Sequence, residues 1–472
     1  MMKQSQAPLW EYLDRRRQEE HVWLHVPAHG GGTGLPPEVR EAFGSYARFD
    51  LTELPGCDDL FHPTGIIAAA QQLAAELWQA EATYFLAGGA SAGVRAMLAA
   101  VCNPGDDVLV GRNAHKSLAD ALVFTGAVPR YLAAESRDGL LLNVTPQAVR
   151  EGLRRHPRAK ALFLTSPSYN GVAADLAAIA EIAREAGVFL LVDEAHGAHF
   201  KFASELPQPA GLFCDMCVQS WHKTLGALTP GAVLHCHSSR VDRRRLQDAL
   251  QAVQTTSPPY PLLASLDAVR RRMALQGEKV VREMLAQARK LRRVLAAHFP
   301  LLAAEDMARL GFSLDETRIT IMTARAGVDG LELGSLLAAC KIEVEFMQPH
   351  AVLAIVGPGY KPDWTERVAA CLQDMPPVRE KNMRLPPLPA LPPARYTPRE
   401  AWFLPSALAA LPDAAGLVAA APLVCYPPGI PLVFPGEEIT SAVVEYLLAA
   451  RKAGVAVHGM DEQEQVRVIA EV

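Results

Sequence analysis

No stretch of this chain reaches the ~18 consecutive apolar residues that a membrane-spanning helix requires. The most apolar late segment, LPSALAALPDAAGLVAAAPLVCYPP, is interrupted by Asp413 and by prolines. The opening MMKQSQAPLWEYLDRRRQEE holds neither an apolar core nor a small-residue cleavage site, so no secretory leader is read there. An excess of one charge is also lacking. The 46 basic and 51 acidic residues are interspersed to a formal net charge of -5, which leaves no basic stripe for nucleic acid or anionic lipid. Cysteine is sparse: eight residues, at 57, 102, 214, 217, 236, 340, 371 and 425. That scatter excludes a disulfide scaffold and predicts reduced thiols in the cytosol. Cys214 and Cys217 have metal-ligand spacing, with His235, Cys236 and His237 nearby. Both segments read as strands, however, and alternation points neighbouring side chains to opposite faces, so no metal site is expected. No internal repeat is visible.

What is present is an alternation. Between about residues 83 and 240, the runs TYFLAGG, DDVLVGR, AVPRYLA, AKALFLTSP, VFLLVDEA, CDMCVQS and GAVLHCHS read as strands. SAGVRAMLAAVC, HKSLADALVFTG, TPQAVREGLRRH and ADLAAIAEIAREAG, lying among them, read as helices, the third with Thr145 as N-cap and Pro146 at its first position. Such alternation predicts a mostly parallel sheet covered on both faces, with ligands at the carboxyl ends of the strands. A long charged helix is expected over roughly 262–297, then a second mixed α/β region to about 375. A proline-dense stretch, MRLPPLPALPPARYTPRE, reads as a linker or extended crossing before the last segment. At 472 residues, 50% hydrophobic and 21% charged, the chain is long enough for two or three domains.

Chemistry concentrates in the loops after the strands. SWHKTLGALTPG sets Lys223 just beyond a strand, where a desolvated amine becomes a nucleophile toward carbonyls. VFLLVDEAHGAHF ends another strand on Asp193, a carboxylate whose burial demands a cation or donors. A protonated pyridine nitrogen is such a cation, and an acid so placed maintains the electron sink of pyridoxal phosphate. AGGASAGVRAMLAA is a glycine-rich turn opening a helix, whose backbone N–H groups at Ala90, Ser91 and Ala92 would face an anion. GRNAHKS places His115 past the next strand, where an imidazole could lie over an aromatic ring.

In order and spacing, GGASAG, RNAHKS, TSPSYNG, DEAHGAH and SWHKTL resemble the ornithine/lysine/arginine decarboxylase family of fold-type I (aspartate-aminotransferase-like) pyridoxal-phosphate enzymes. The likeness extends to HVPAHGGG, DLTELPGCDDLFHPTG, TTSPPYPLLASLD and YPPGIPLVFPGEEIT, nearly the whole chain, and fits the short type without an N-terminal wing. It implies an α/β fold: an N-terminal segment at 1–60, a cofactor-binding large domain with a seven-stranded sheet at 61–298, a small α/β domain at 299–384 and a C-terminal domain at 385–472. It implies that Lys223 holds the cofactor as an imine, with His222 beside it and Asp193 on the pyridine nitrogen. His115 would stack on the ring, with Ala195 and His196 near its other face. Ser91, Ala92 and Ser220 would hold the phosphate, with Ser257 reaching it from a partner subunit of a homodimer or larger assembly. The implied reaction is decarboxylation of a basic amino acid, arginine, lysine or ornithine, to its amine. Departures lie away from the cofactor core: PAHG with Ala28 and Gly30, Pro230 after ALT, and VGPGYKPD in the small domain.

Two rivals remain at this stage. A DEAH-type NTPase needs a GxxxxGK(S/T) phosphate loop, and the nearest match, GRNAHKS, is one residue short with His115 where glycine is required. An aminotransferase, aldolase or racemase shares the fold and differs only in reaction.

Overall fold

Seven apolar runs form one mixed sheet in the computed structural model, which describes residues 2–378 and 385–470. The strands are β1 (Ala82–Leu86), β2 (Asp107–Gly111), β3 (Val128–Leu132), β4 (Ala161–Thr165), β5 (Phe189–Asp193), β6 (Met216–Gln219) and β7 (Ala232–Cys236). Their order is β1-β7-β6-β5-β4-β2-β3. β2 runs parallel to β3 and β4, whereas β7 is antiparallel to both β1 and β6. Every residue of β4, β6 and β7 is buried, which is why these strands read as unbroken apolar runs rather than alternating ones. The expected cap is present: the Thr145 hydroxyl accepts from the Ala148 amide at 3.2 Å, with Pro146 in the first turn.

By packing, the chain divides into two units. One comprises Met1–Ala100, Asp193–Ser204 and Gln208–Val281; the other comprises Val101–Val192, Glu205–Pro207 and Arg282–Val472. In the first, helix α1 (Pro8–Arg16) and helix α2 (Gly89–Val101) depend on close contacts. A β-carbon on Gly93 of α2 would stand 2.5 Å from Val218 Cγ2 and 2.8 Å from Leu86 Cδ1, so only glycine lets the helix lie so near these strands. The N-terminal segment is held by a fully buried ion pair in the long helix Tyr260–Ala296. Arg270 bonds Asp267 at 3.0 Å and donates to the Gln4 and Gln6 carbonyls, while Asp267 Oδ2 accepts from the amides of Leu9 and Trp10.

In the second unit, Arg318–Ile321, Ala351–Ile355 and Phe346–Gln348 form a three-stranded sheet over a core that includes Leu291, Leu295, Ile319, Leu333 and Val352. A further three-stranded sheet joins Ile430–Val433, Leu423–Tyr426 and Ala456–His458. Arg112 donates twice to Glu437, each bond 2.8 Å, and once to the Leu432 carbonyl, with its guanidinium over the rings of Tyr131 and Phe434. The expectation of reduced thiols throughout fails for one pair: Cys340 and Cys371 are joined, with Cα atoms 6.2 Å apart. Cys340 follows the helix Gly330–Ala339 and Cys371 lies in the helix Asp363–Asp374. Tertiary packing against one core brings together two cysteines that sequence scatter keeps apart. The boundary expected at residue 384 lies outside the described residues. Among the described residues, no helix is long and apolar enough to cross a membrane.

Because α1 is tied down by Asp267, replacing that residue with alanine strands the Arg270 charge in the core. Loss of one partner of a buried pair costs about 3–5 kcal/mol. Asp267→Ala should therefore lower the thermal midpoint markedly and make the N-terminal segment the first site of limited proteolysis. An unchanged midpoint would show that the pair does not carry this attachment.

Candidate active site

β5 ends where apolar burial gives way to carboxylate chemistry. Asp193 is 5% exposed, and its Oδ1 accepts the Ala195 amide at 3.0 Å. Burial pushes its pKa up, while the Lys223 charge and the Ala195 N–H pull it back without cancelling the rise. This acid has a standing need for a cation. β6 ends two residues before the short helix Trp221–Thr224, whose N-cap position is the buried Ser220. The Lys223 side chain turns toward the segment after Asp193 and donates from Nζ to His196 Nε2 at 3.0 Å. Ala195 and His196 are both buried.

His222 is half-buried, and its Nδ1 donates to the Gly231 carbonyl at 2.9 Å. Burial, with the Lys223 charge, lowers its pKa. The ring is therefore neutral at neutral pH, with Nδ1 carrying the hydrogen and Nε2 its lone pair. At the start of α2, Gly89 adopts φ +69°, a left-handed turn open to glycine, which swings the chain into the helix carrying Ser91 and Ala92. The helix N-terminus concentrates N–H groups and positive potential there.

Asp193, Ala195, His196, Ser220, His222, Lys223, Ser91 and Ala92 all belong to the first unit. Two expected residues stand elsewhere. Ser257 is in the same unit but exposed in the loop before the long helix, its amide donating to Thr255 Oγ1 at 3.1 Å. His115 belongs to the second unit, where its Nδ1 meets the Ser117 hydroxyl at 3.0 Å and Gly429 packs against its ring. One expectation needs correction: the Lys223 residue is exposed in the single chain rather than desolvated by its own loop. The large residues of its loop, Trp221 and Leu225, pack into the core and leave the Lys223 stem uncovered. Cys217 Sγ lies 3.7 Å from His237 Nε2, and among the described residues no three potential ligands gather for a metal ion.

Sequence reasoning missed the polar scaffold beneath these groups. Glu194, the second residue of DEAH, accepts from the Ala210 amide at 2.7 Å and from Gln219 Nε2 at 2.6 Å. Gln219 Oε1 in turn accepts from Trp221 Nε1 at 3.0 Å and from His235 Nε2 at 3.2 Å, and the Thr83 hydroxyl donates to His235 Nδ1 at 2.7 Å. Trp78 stacks on Trp221 with ring centres 4.5 Å apart. Trp221 is thus locked on both sides, and with it the helix that carries Lys223. A buried polar residue such as Gln219 inside an otherwise apolar strand, CDMCVQS, was the available signal.

The family described as Orn/Lys/Arg decarboxylase, major domain, matches residues 7–308, and Orn/Lys/Arg decarboxylase, C-terminal domain, matches residues 392–466. An arginine decarboxylase of Bacillus subtilis (strain 168) is 35% identical over 488 aligned positions, covering 100% of this chain and 99% of the relative. Among solved structures, the lysine decarboxylase LdcF of Francisella novicida superposes with a TM-score of 0.88 at 20% identity, covering 98% of this chain and 81% of that one. A structure of SPT with PLP superposes with a TM-score of 0.54 at 17% identity, covering 71% of this chain and 81% of that one. These last two likenesses establish a shared fold.

Glu194 gives a pH signature. Burial lifts its pKa from 4.5 to about 8, against the opposing bonds from Ala210 and Gln219. The folded chain thus holds a proton that the unfolded chain has released, and stability falls as pH rises from 4.5 toward 8. Glu194→Gln should flatten that decline. Thermal midpoints of both proteins across this range test it, and parallel curves would contradict it.

Proposed function

The chain belongs to the Orn/Lys/Arg decarboxylase family and is a decarboxylase of a basic amino acid, and we propose that it works with pyridoxal phosphate held on Lys223 and takes arginine. The observation carrying this reading is the Lys223 amine, 3.0 Å from His196 and electrostatically coupled to buried Asp193 at the end of the neighbouring strand. The donor set fits the cofactor chemically. Lys223 supplies the amine for its aldehyde, Asp193 the counter-charge for its ring nitrogen, and Ser91, Ala92 and Ser220 the donors for its phosphate. Ala195 and His196 would line one face of the ring. When bound, pyridoxal phosphate supplies a conjugated sink for the electron pair released as the Cα–carboxylate bond breaks.

The residues of the chain do the rest. Asp193 can remain ionised in its dry surroundings only beside a cation, so it favours a protonated ring nitrogen. The Gly231 carbonyl fixes the His222 tautomer, which leaves Nε2 to hold or release a proton. Lys223, adjoining it, carries a second proton to return to Cα as CO2 departs. Two exposures support a homodimer: Lys223 and Ser257 both lie open in the single chain, as expected of residues that a partner subunit covers. Ser257 would reach the phosphate of that partner. Six of the eight cysteines are free, which supports a reducing, cytoplasmic setting despite the Cys340–Cys371 pair. Arginine as substrate is supported by the full-length relative in Bacillus subtilis, an arginine decarboxylase.

Incubation of the purified protein with arginine, lysine and ornithine should release CO2 fastest from arginine, with agmatine as the amine. Faster release from either of the others would overturn the substrate assignment. Lys223→Ala should abolish both turnover and the absorbance of covalently attached cofactor. Asp193→Asn should keep the fold while lowering kcat by about tenfold for each pKa unit of support withdrawn from the ring nitrogen.

A further inference from the structure

The second unit contains a cavity of about 270 Å3 at the carboxyl ends of three strands. Arg112 follows β2, Ala133 follows β3, and Asn170 lies in the loop beyond β4. Crevices at that end of a parallel sheet are where α/β proteins seat their ligands. The remaining wall comes from Phe346, Gln348 and His350, from the proline-rich stretch 388–392 and from the turn within 425–432. Neither Lys223, Asp193, His196, His222 nor Ser91 contributes to it.

One group in that wall lacks an answer from the protein. His350 is 9% exposed, and neither of its ring nitrogens has a hydrogen-bond partner. Gly139, at φ +81°, covers the ring so closely that a β-carbon there would meet Cγ and Cδ2 at 3.2 Å. Burial holds the pKa of His350 down at about 4, so the imidazole is neutral, with one nitrogen to donate and one to accept. Buried polar groups in native proteins are paired, by protein or by something else. An external partner with a hydroxyl or amide would satisfy this one.

The rest of the wall fixes the character of that partner. Among the described residues of the wall, Arg112 is the one ionised side chain, and its guanidinium is already committed to Glu437 and to the Leu432 carbonyl. Leucines, prolines and the side chains of Phe346 and Tyr446 supply most of the remainder. Among the described residues, no acid lines the cavity to balance an ammonium or guanidinium, which disfavours the basic substrate and its amine product there. Size follows from volume. A cavity of about 150 Å3 holds benzene, so this one admits a molecule of roughly ten non-hydrogen atoms.

We propose that this cavity is a second ligand site, which binds an uncharged aromatic alcohol or amide of that size through His350. It is separate from the decarboxylation chemistry and requires no residue assigned to it.

The probe is 4-propylphenol, titrated into the holoenzyme by calorimetry and ligand-observed NMR, beside the cationic isostere 3-phenylpropylamine. The phenol should bind saturably with a Kd of about 1 mM or tighter, and the amine at least about tenfold more weakly. Imidazole signals of His350 should move during the phenol titration. Leu141→Trp, which fills the cavity from its wall, should abolish phenol binding, and His350→Phe should weaken it at least about tenfold; both should keep decarboxylase activity. Absence of saturable binding, equal affinity for the two probes, or affinity undiminished in Leu141→Trp would each overturn the proposal. If His350→Phe does not fold, the wild-type imidazole signals and Leu141→Trp still decide it.

Discussion

A carboxylate buried at the end of a strand is the constraint around which this molecule is organised. Asp193 sits where water cannot stabilise its charge, and an unpaired ion in such a place costs several kcal/mol. The fold answers with a nearby lysine and one backbone N–H. Neither would be useful if it drifted, because electrostatic compensation in a dry site falls away quickly with distance. The surrounding polar residues prevent drift. Glu194, Gln219, His235 and Thr83 form a chain of hydrogen bonds beneath the strand ends, and Gln219 binds the indole next to the residues that carry His222 and Lys223.

Much of this was legible in the sequence, for identifiable reasons. Strands buried on both faces leave continuous apolar runs, so all seven strands of the large sheet fell where VFLLVDEA, CDMCVQS and their fellows predicted them. Asp193 stood out because it is an ionisable residue at the end of such a run, and Lys223 because it follows one closely. Gln219 could be noticed only as a polar residue inside an apolar run, and Glu194 not at all, because their roles depend on partners that spacing does not reveal. The direction of β7 was equally hidden, since a strand has the same pattern read either way. The pairing of Cys340 with Cys371 depends on two helices meeting over a shared core, and no spacing rule reports that. Lys223 was expected to be dry and is open, because the bulky residues of its own loop, Trp221 and Leu225, turn into the core instead of over it.

The second unit solves a related electrostatic problem differently. Arg112 and Glu437 are both almost fully buried, and they neutralise each other with two parallel bonds, while aromatic rings cover the guanidinium. Where Asp193 keeps an unmet need that a ligand can fill, this pair is complete within the protein. It links the end of β2 to a segment more than three hundred residues further along the chain, since its partners are 325 positions apart. Its role is attachment.

That attachment sits three residues from His115, and the same late segment places the Gly429 backbone against the histidine ring, with its carbonyl accepting the Lys116 amide at 2.9 Å. The His115 imidazole is therefore seated by the last eighty or so residues of the chain, not by the sheet alone. A nonsense codon shortly before Gly429 would leave Lys223, His222 and Asp193 in the chain and yet remove the seat beneath His115. On the role expected of His115, such a shortened form would keep the Lys223 loop and still lose its chemistry.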